Sequence, residues 1–236
     1  MSTQAPRERA DPLSSRYSAF MSQPVVQRFL RDGGKVFVAT DGRAAAEILA
    51  LINAGHRHFA EKFVQEALLK WSHLPRANVT LHGYGRLQRN KTFKACRLFD
   101  GIESLGRDPL LAQLSHLRRS GTPLPPFYLQ VNVGSETQKE GYSRADAGQA
   151  LAAARLAGLD IRGVMAIPPR DENPTPHFRW LRQFAEREGL GECMMGMSED
   201  FEIAIGEGAT AIRIGRAVFS PSTLAARQHI FGRDAQ

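Results

Sequence analysis

The chain has 236 residues, 42% of them apolar and 23% charged, enough for one substantial core without disulfides. Its net charge of +7 comes from 31 basic and 24 acidic residues, and with six lysines most of the positive charge is arginine. The arginines are scattered without a basic run of five, and no apolar run approaches the ~18 residues of a membrane span, so solvated helix faces or a phosphate-bearing small ligand explain the charge better than nucleic acid or membrane.

In chain order, residues 1–34 read as a loose tail and a preliminary helix. "MSTQAPRERADPLSSRYS" has no hydrophobic signal region. The helix is expected over 14–32, interrupted near Pro24 and packed outside the main body. From Lys35 to the end at 236, short apolar strands alternate with amphipathic helices. The strands are "VFVAT" (36–40), "RHFAE" (57–61), "TLHGY" (80–84), "GIES" (101–104), "FYLQVNV" (127–133), "IRGVMAI" (161–167), "ECMMGM" (192–197) and "AIRI" (211–214). Between them, "RAAAEILALINAG" repeats its apolar residues at three- and four-residue spacing and stops on Gly55. "SRADAGQALAAARLAG" does the same, with Ser143 as the expected N-cap and Gly158 as the stop. The Pro-rich stretches at 120–127 and 168–176 are loops between elements. Eight strand–helix units point to a single (β/α)8 TIM barrel, and the first strand–helix turn lacks the Gly-rich fingerprint of an open doubly wound sheet. Cys96 and Cys193 stand apart from each other and from any metal-ligand spacing, which suits a reduced, cytoplasmic protein.

A barrel keeps its chemistry at the C-terminal ends of its strands, with phosphates commonly near the loops after strands seven and eight. Strand seven runs into "MGMSEDFEIAI", where Ser198 is placed to cap a helix beginning at Glu199 and to offer an anion site. Strand eight ends in "RIGRAVF", where Arg213 and Arg216 bring guanidinium groups and Gly215 unobstructed backbone. Other polar strand-end residues are Asp41, Lys62, His82, Asn132 and Lys139. Each of these also has an ordinary reading, as core histidine, surface lysine or loop residue. Asp41 is the odd one, since the strand "KVFVATDGR" is apolar until it delivers a carboxylate.

The stretches "INAGHRHFAEKFVQEALLK", "LHGYGRLQRNK", "LQVNVGSETQKEG", "RGVMAIP" and "MGMSEDFEIAIGEGATAIRIGRAVF" resemble successive signatures of the pyridoxal-phosphate homeostasis proteins. Those are single-domain relatives of the alanine-racemase N-terminal barrel, and the resemblance runs from about Lys35 to Ser220. It implies pyridoxal 5′-phosphate (PLP) as cofactor, held in the family as an internal aldimine by a lysine ending the first strand. It also implies cofactor-facing roles for Ser198, Arg213, Gly215, Arg216, His82, Asn132, Lys139 and Met165. Counted back from Ala54-Gly55 without a gap, the lysine position is Asp41. The family asparagine on strand two becomes Lys62, and a small hydroxyl residue after Gly215 becomes Arg216. The resemblance thus implies a divergent member lacking the usual cofactor lysine.

Three readings stay open. The chain binds PLP, pyridoxamine phosphate or a PLP–amino acid adduct non-covalently. Alternatively it is a PLP-dependent enzyme acting on an amino acid, with Lys62 as relocated Schiff-base lysine and Asp41 assisting. In the third it is a non-binding scaffold with an Asp41–Lys62 salt bridge across an empty site. Tyr84 and Tyr142 are the nearby tyrosine candidates. Without the C-terminal domain that supplies a tyrosine in alanine racemases, ordinary alanine racemisation is not expected. An amino-acid partner and the oligomeric state are left open.

Overall fold

A computed structural model describes residues 12–220; the tail over 1–11 and the segment 221–236, which the sequence reading assigned to the barrel domain, lie outside the described residues. Two helices, α1 (Pro12–Met21) and α2 (Pro24–Arg31), precede the first strand. Pro24 opens α2 at its first position, where the missing N–H costs nothing, so the expected interruption falls between two separate helices. Helix α1 packs outside the barrel against the first and last helices of the βα series.

The strands are β1 (Lys35–Ala39), β2 (His58–Glu61), β3 (Thr80–Gly83), β4 (Gly101–Leu105), β5 (Phe127–Gln130), β6 (Ile161–Met165), β7 (Glu192–Met194) and β8 (Ala211–Ile214). The helices that follow them are α3 (Ala45–Asn53), α4 (Val64–Trp71), α5 (Thr92–Leu98), α6 (Asp108–Arg119), α7 (Ala147–Leu156), α8 (Thr175–Arg187), α9 (Phe201–Gly206) and α10 (Arg216–Phe219). The strands are parallel and close as a barrel in sequence order, β8 pairing back to β1 with Phe37 opposite Arg213. Parallel strands covered by helices are buried on both faces, so their apolar runs are nearly continuous. Alternation then sorts the residues. Val36 and Val38 join the large layer between strands and helices, while Phe37 joins a smaller cluster inside the barrel with Ala60, Tyr128, Met165, Met194 and Ala211. Full burial of one such valine or phenylalanine is worth ~1.5–3 kcal/mol.

Several strands stop earlier than their apolar patterns suggest. Beyond β5, Val131 pairs with Tyr142, and the Asn132 N–H donates to the Tyr142 carbonyl, so the chain turns toward its own loop. Beyond β7, Gly196 takes φ +95°, which a side chain would resist. Gly55 and Gly158 end α3 and α7 in the left-handed region, as the sequence predicts. Ser143 corrects one expectation. Helix α7 begins only at Ala147, and the Ser143 hydroxyl closes the turn before it, accepting from the Asp146 N–H (3.1 Å) and donating to the Asp146 carboxylate (2.6 Å).

Candidate functional site

The alternation that sends Phe37 inward carries on past the strand ends. Ala39 and Asp41 follow Phe37, Tyr84 follows His82, and Gly215 follows Arg213, so these residues ring the C-terminal mouth. There Ala39, Asp41, Tyr84, Ser198, Arg213 and Gly215 share a cavity of about 240 Å³ with Arg43, Ile167, Met197, Arg216 and Phe219. Pockets for drug-sized ligands run ~300–1,000 Å³, so this one suits a single-ring compound.

A chain of polar contacts crosses the barrel to the cavity. His82 Nδ1 donates to Glu103 Oε1 at 3.0 Å, and the other Glu103 oxygen accepts from Arg213 Nη2. The Arg213 guanidinium lies 4.1 Å from the centre of the Tyr84 ring, and the Tyr84 hydroxyl donates to Asp41 Oδ1. Glu103 is fully buried. Burial alone would push its carboxyl up, but Arg213 and His82 outweigh that and hold it below the usual carboxylate range. Burial, and then the bond to Asp41, push the Tyr84 phenol well up, so it keeps its proton and donates. Arg213 Nε is buried with no partner in the protein, an unmet donor beside the cavity.

The turn carrying Asp41 is fixed from outside the barrel. The Thr40 hydroxyl (2.7 Å) and Trp71 Nε1 (3.0 Å) donate to Glu61, while Lys70 Nζ reaches Glu61 (2.8 Å), Glu66 (2.8 Å) and the Thr40 carbonyl (2.5 Å). Glu66 also accepts from the Gly42 N–H at 2.5 Å. Burial raises the Glu61 carboxyl despite the lowering influence of Lys70, Thr40 and Trp71. The position of Asp41 therefore rests on a network between the β1 turn and α4 that no short motif marks.

Of the expected site residues, Asp41, Ser198, Arg213, Gly215 and Arg216 meet at one cavity. Ser198 does not cap a helix at Glu199, because α9 starts at Phe201 with Asp200 before it. Instead the Ser198 hydroxyl accepts from the Ala217 N–H at 3.1 Å, which joins the β7 and β8 loops. Arg216 pairs with Glu199 at 2.6 Å. His82 lies deeper, held by Glu103 and packed 4.3 Å from Phe37, and Met165 is a core residue inside the barrel. Asn132 uses its side chain within its own loop, donating to the Glu136 carbonyl (2.7 Å) and accepting from the Glu136 N–H (3.1 Å). Lys139 is tied to Glu136 and to the Pro168 carbonyl (2.9 Å), facing a neighbouring cavity of about 480 Å³.

The Asp41–Lys62 salt bridge of the third reading is not formed among the described residues. β2 ends at Glu61, Lys62 is exposed with its ammonium 5.4 Å from the Phe63 ring, and Tyr84 is the partner of Asp41. Of the two tyrosine candidates, Tyr84 lines the cavity and Tyr142 does not. Glu103 was missed. Its only sequence signal is an acid in the middle of the apolar strand "GIESL", every residue of which is buried. Among the described residues there is no cluster of His, Cys, Asp and Glu suited to a metal, and no helix long and apolar enough to cross a membrane.

Fold and mouth geometry together define a barrel of the alanine-racemase type, and residues 39–222 match the family model for the alanine racemase N-terminal domain. The chain is 39% identical over 183 residues to the pyridoxal phosphate homeostasis protein of Pseudomonas aeruginosa, covering 75% of this chain and 80% of that one. It is 33% identical over 189 residues to its Escherichia coli counterpart, covering 75% and 81%. Among solved structures, PipY of Synechococcus elongatus superposes with a TM-score of 0.78 without PLP (32% identity) and 0.73 with PLP bound (31% identity), each over 88% of this chain and 99% of that one. Alanine racemase of Corynebacterium glutamicum, at 13% identity and a TM-score of 0.66, shares the fold. The chain belongs to the pyridoxal phosphate homeostasis protein family.

Proposed function

We propose that this chain binds pyridoxal phosphate or a close phosphate-ester relative non-covalently at the barrel mouth. The names of its relatives and the PLP-bound PipY structure support that ligand class. The observation that carries the reading is the pairing of cavity residues suited to an anion with Asp41 two residues past the end of the first strand. Arg213, with its buried and unmet Nε donor, and Ser198, Gly215 and Arg216 line one cavity, and no lysine lines it among the described residues. Ser198, the Gly215 backbone, Arg213 and Arg216 are suited to hold the phosphate, with Tyr84 and Asp41 lining the same cavity. When bound, pyridoxal phosphate supplies an aldehyde open to attack by amines. A carboxylate has no amine to condense with it, and Lys62 faces the exposed Phe63 ring, which weighs against the relocated-lysine reading.

Thermal or chemical denaturation with and without pyridoxal phosphate tests this. At about 100 times the dissociation constant the ligand should add ~2.7 kcal/mol to stability. Borohydride treatment followed by mass spectrometry should leave no reduced adduct at Lys62. Replacing Ser198 by alanine should weaken binding by ~1.5–3 kcal/mol, the range for a hydrogen bond to a charged group. A reduced adduct on Lys62, or no stabilisation at all, would overturn the reading.

A further inference from the structure

We infer that the site selects a phosphate ester that also carries a protonated primary amine, the pyridoxamine rather than the aldehyde or alcohol form of the vitamer. The inference rests on the phosphate-site reading above. It is drawn from the opposite chemistry of the residues that line one cavity. The β7 and β8 loops bring Ser198, Gly215, Arg213 and Arg216, which suit an anion. The turn after β1 brings Asp41, the one acidic residue among the cavity's described lining residues, while Arg43 two positions on is engaged by Glu47 and the Phe219 ring. The position of Asp41 is set on both flanks. The Glu66 carboxylate holds the Gly42 N–H, and Lys70 holds the Thr40 carbonyl, so the turn has little freedom to swing the carboxylate away.

Tyr84 sharpens the acceptor. Its hydroxyl donates to Asp41 Oδ1, which leaves Oδ2 and the phenol's own lone pairs as acceptors. An ammonium has three donors and no acceptor, so it matches that pair, whereas an aldehyde oxygen has no proton to give either atom. A hydroxymethyl group donates only one, without charge. The Arg213 guanidinium does not compete for Asp41, because Glu103 and the face of the Tyr84 ring already engage it. The cavity thus offers guanidinium groups and the second oxygen of the Asp41 carboxylate to one ligand, which is the pattern for a zwitterion.

Calorimetric titration of the purified protein with pyridoxamine phosphate, pyridoxine phosphate, pyridoxal phosphate and inorganic phosphate tests this. The amine form should bind about tenfold or more tighter than the alcohol form, the effect of one charge-assisted hydrogen bond. Asp41→Asn, which is isosteric, should bring the two to parity, and Asp41→Glu should recover part of the preference. Equal binding of amine and alcohol forms by the unaltered protein, or a preference that survives Asp41→Asn, overturns the inference and leaves the phosphate-site reading standing. If neither the esters nor inorganic phosphate bind, both fail together.

Discussion

Replacing Arg213 by methionine keeps the stem's bulk but removes the cation facing Glu103. In the unaltered protein Glu103 is fully buried and shares its two oxygens between Arg213 and His82. Removing one partner of a buried pair strands the other charge, and such losses run ~3–5 kcal/mol. For a domain of this size each kcal/mol moves Tm by ~2–4 °C, so Arg213→Met should melt about 6–20 °C lower. Two further readouts separate stranded charge from lost packing. Glu103→Gln in the same chain should recover most of the deficit, because the neutral amide costs far less to bury. The deficit should also shrink on acidification. In the native pair the Glu103 carboxyl is held low, so its contribution is present above the unfolded value of ~4.3 and is lost as pH falls. Without Arg213, desolvation is the leading influence left, its carboxyl rises, and the protein regains stability as Glu103 takes up a proton. Urea denaturation of the four-member cycle at neutral and acidic pH measures all of this. A cost under 1 kcal/mol for Arg213→Met, or no rescue by Glu103→Gln, would refute the reasoning.

His56 is buried, its Nε2–H donating to the His58 carbonyl at 2.7 Å and its Nδ1 accepting from the Tyr17 hydroxyl at 3.2 Å, and burial lowers its imidazole from 6.5 to about 4. Its contribution is therefore full above the unfolded value and lost as pH falls through about 4, a difference of roughly 3 kcal/mol; urea titrations should show this decline flattened in His56→Gln, and an unchanged slope would count against it. Cys96 and Cys193 are both buried, with thiols pushed up to about 12 by burial. A chromogenic disulfide reagent should find neither in the native protein and both in denaturant, and rapid native labelling would contradict the packing. A Cβ on Gly101 would sit 2.6 Å from His82 Nε2, so Gly101→Ala should displace His82 from Glu103 and cost about 1–3 kcal/mol, measured by Tm against Gly191→Ala as a control for altered backbone freedom without a steric contact or a positive φ.

The sequence by itself determined the barrel. Apolar strands alternating with capped amphipathic helices depend on periodicities of 2 and 3.6, which are local properties that survive without knowledge of the partners. The same period placed Asp41 and Gly215 just past the ends of their strands and Arg213 near the end of β8, all lining one cavity at the mouth. What it did not determine was which side chains meet. Glu103 and Arg213 are 110 residues apart in the chain, and their contact exists only because barrel closure brings β4 and β8 to the same interior. Because β1 and β2 are neighbours, Lys62 could reach toward Asp41, yet its side chain turns out to the exposed Phe63 ring and does not continue the inward alternation that Asp41, Tyr84 and Gly215 follow beyond their strands. Tyr84 reaches Asp41 from one strand further on. Tertiary structure decided the partner of that carboxylate, because pairing across a closed sheet follows register and chain termination points, quantities that a local pattern does not carry.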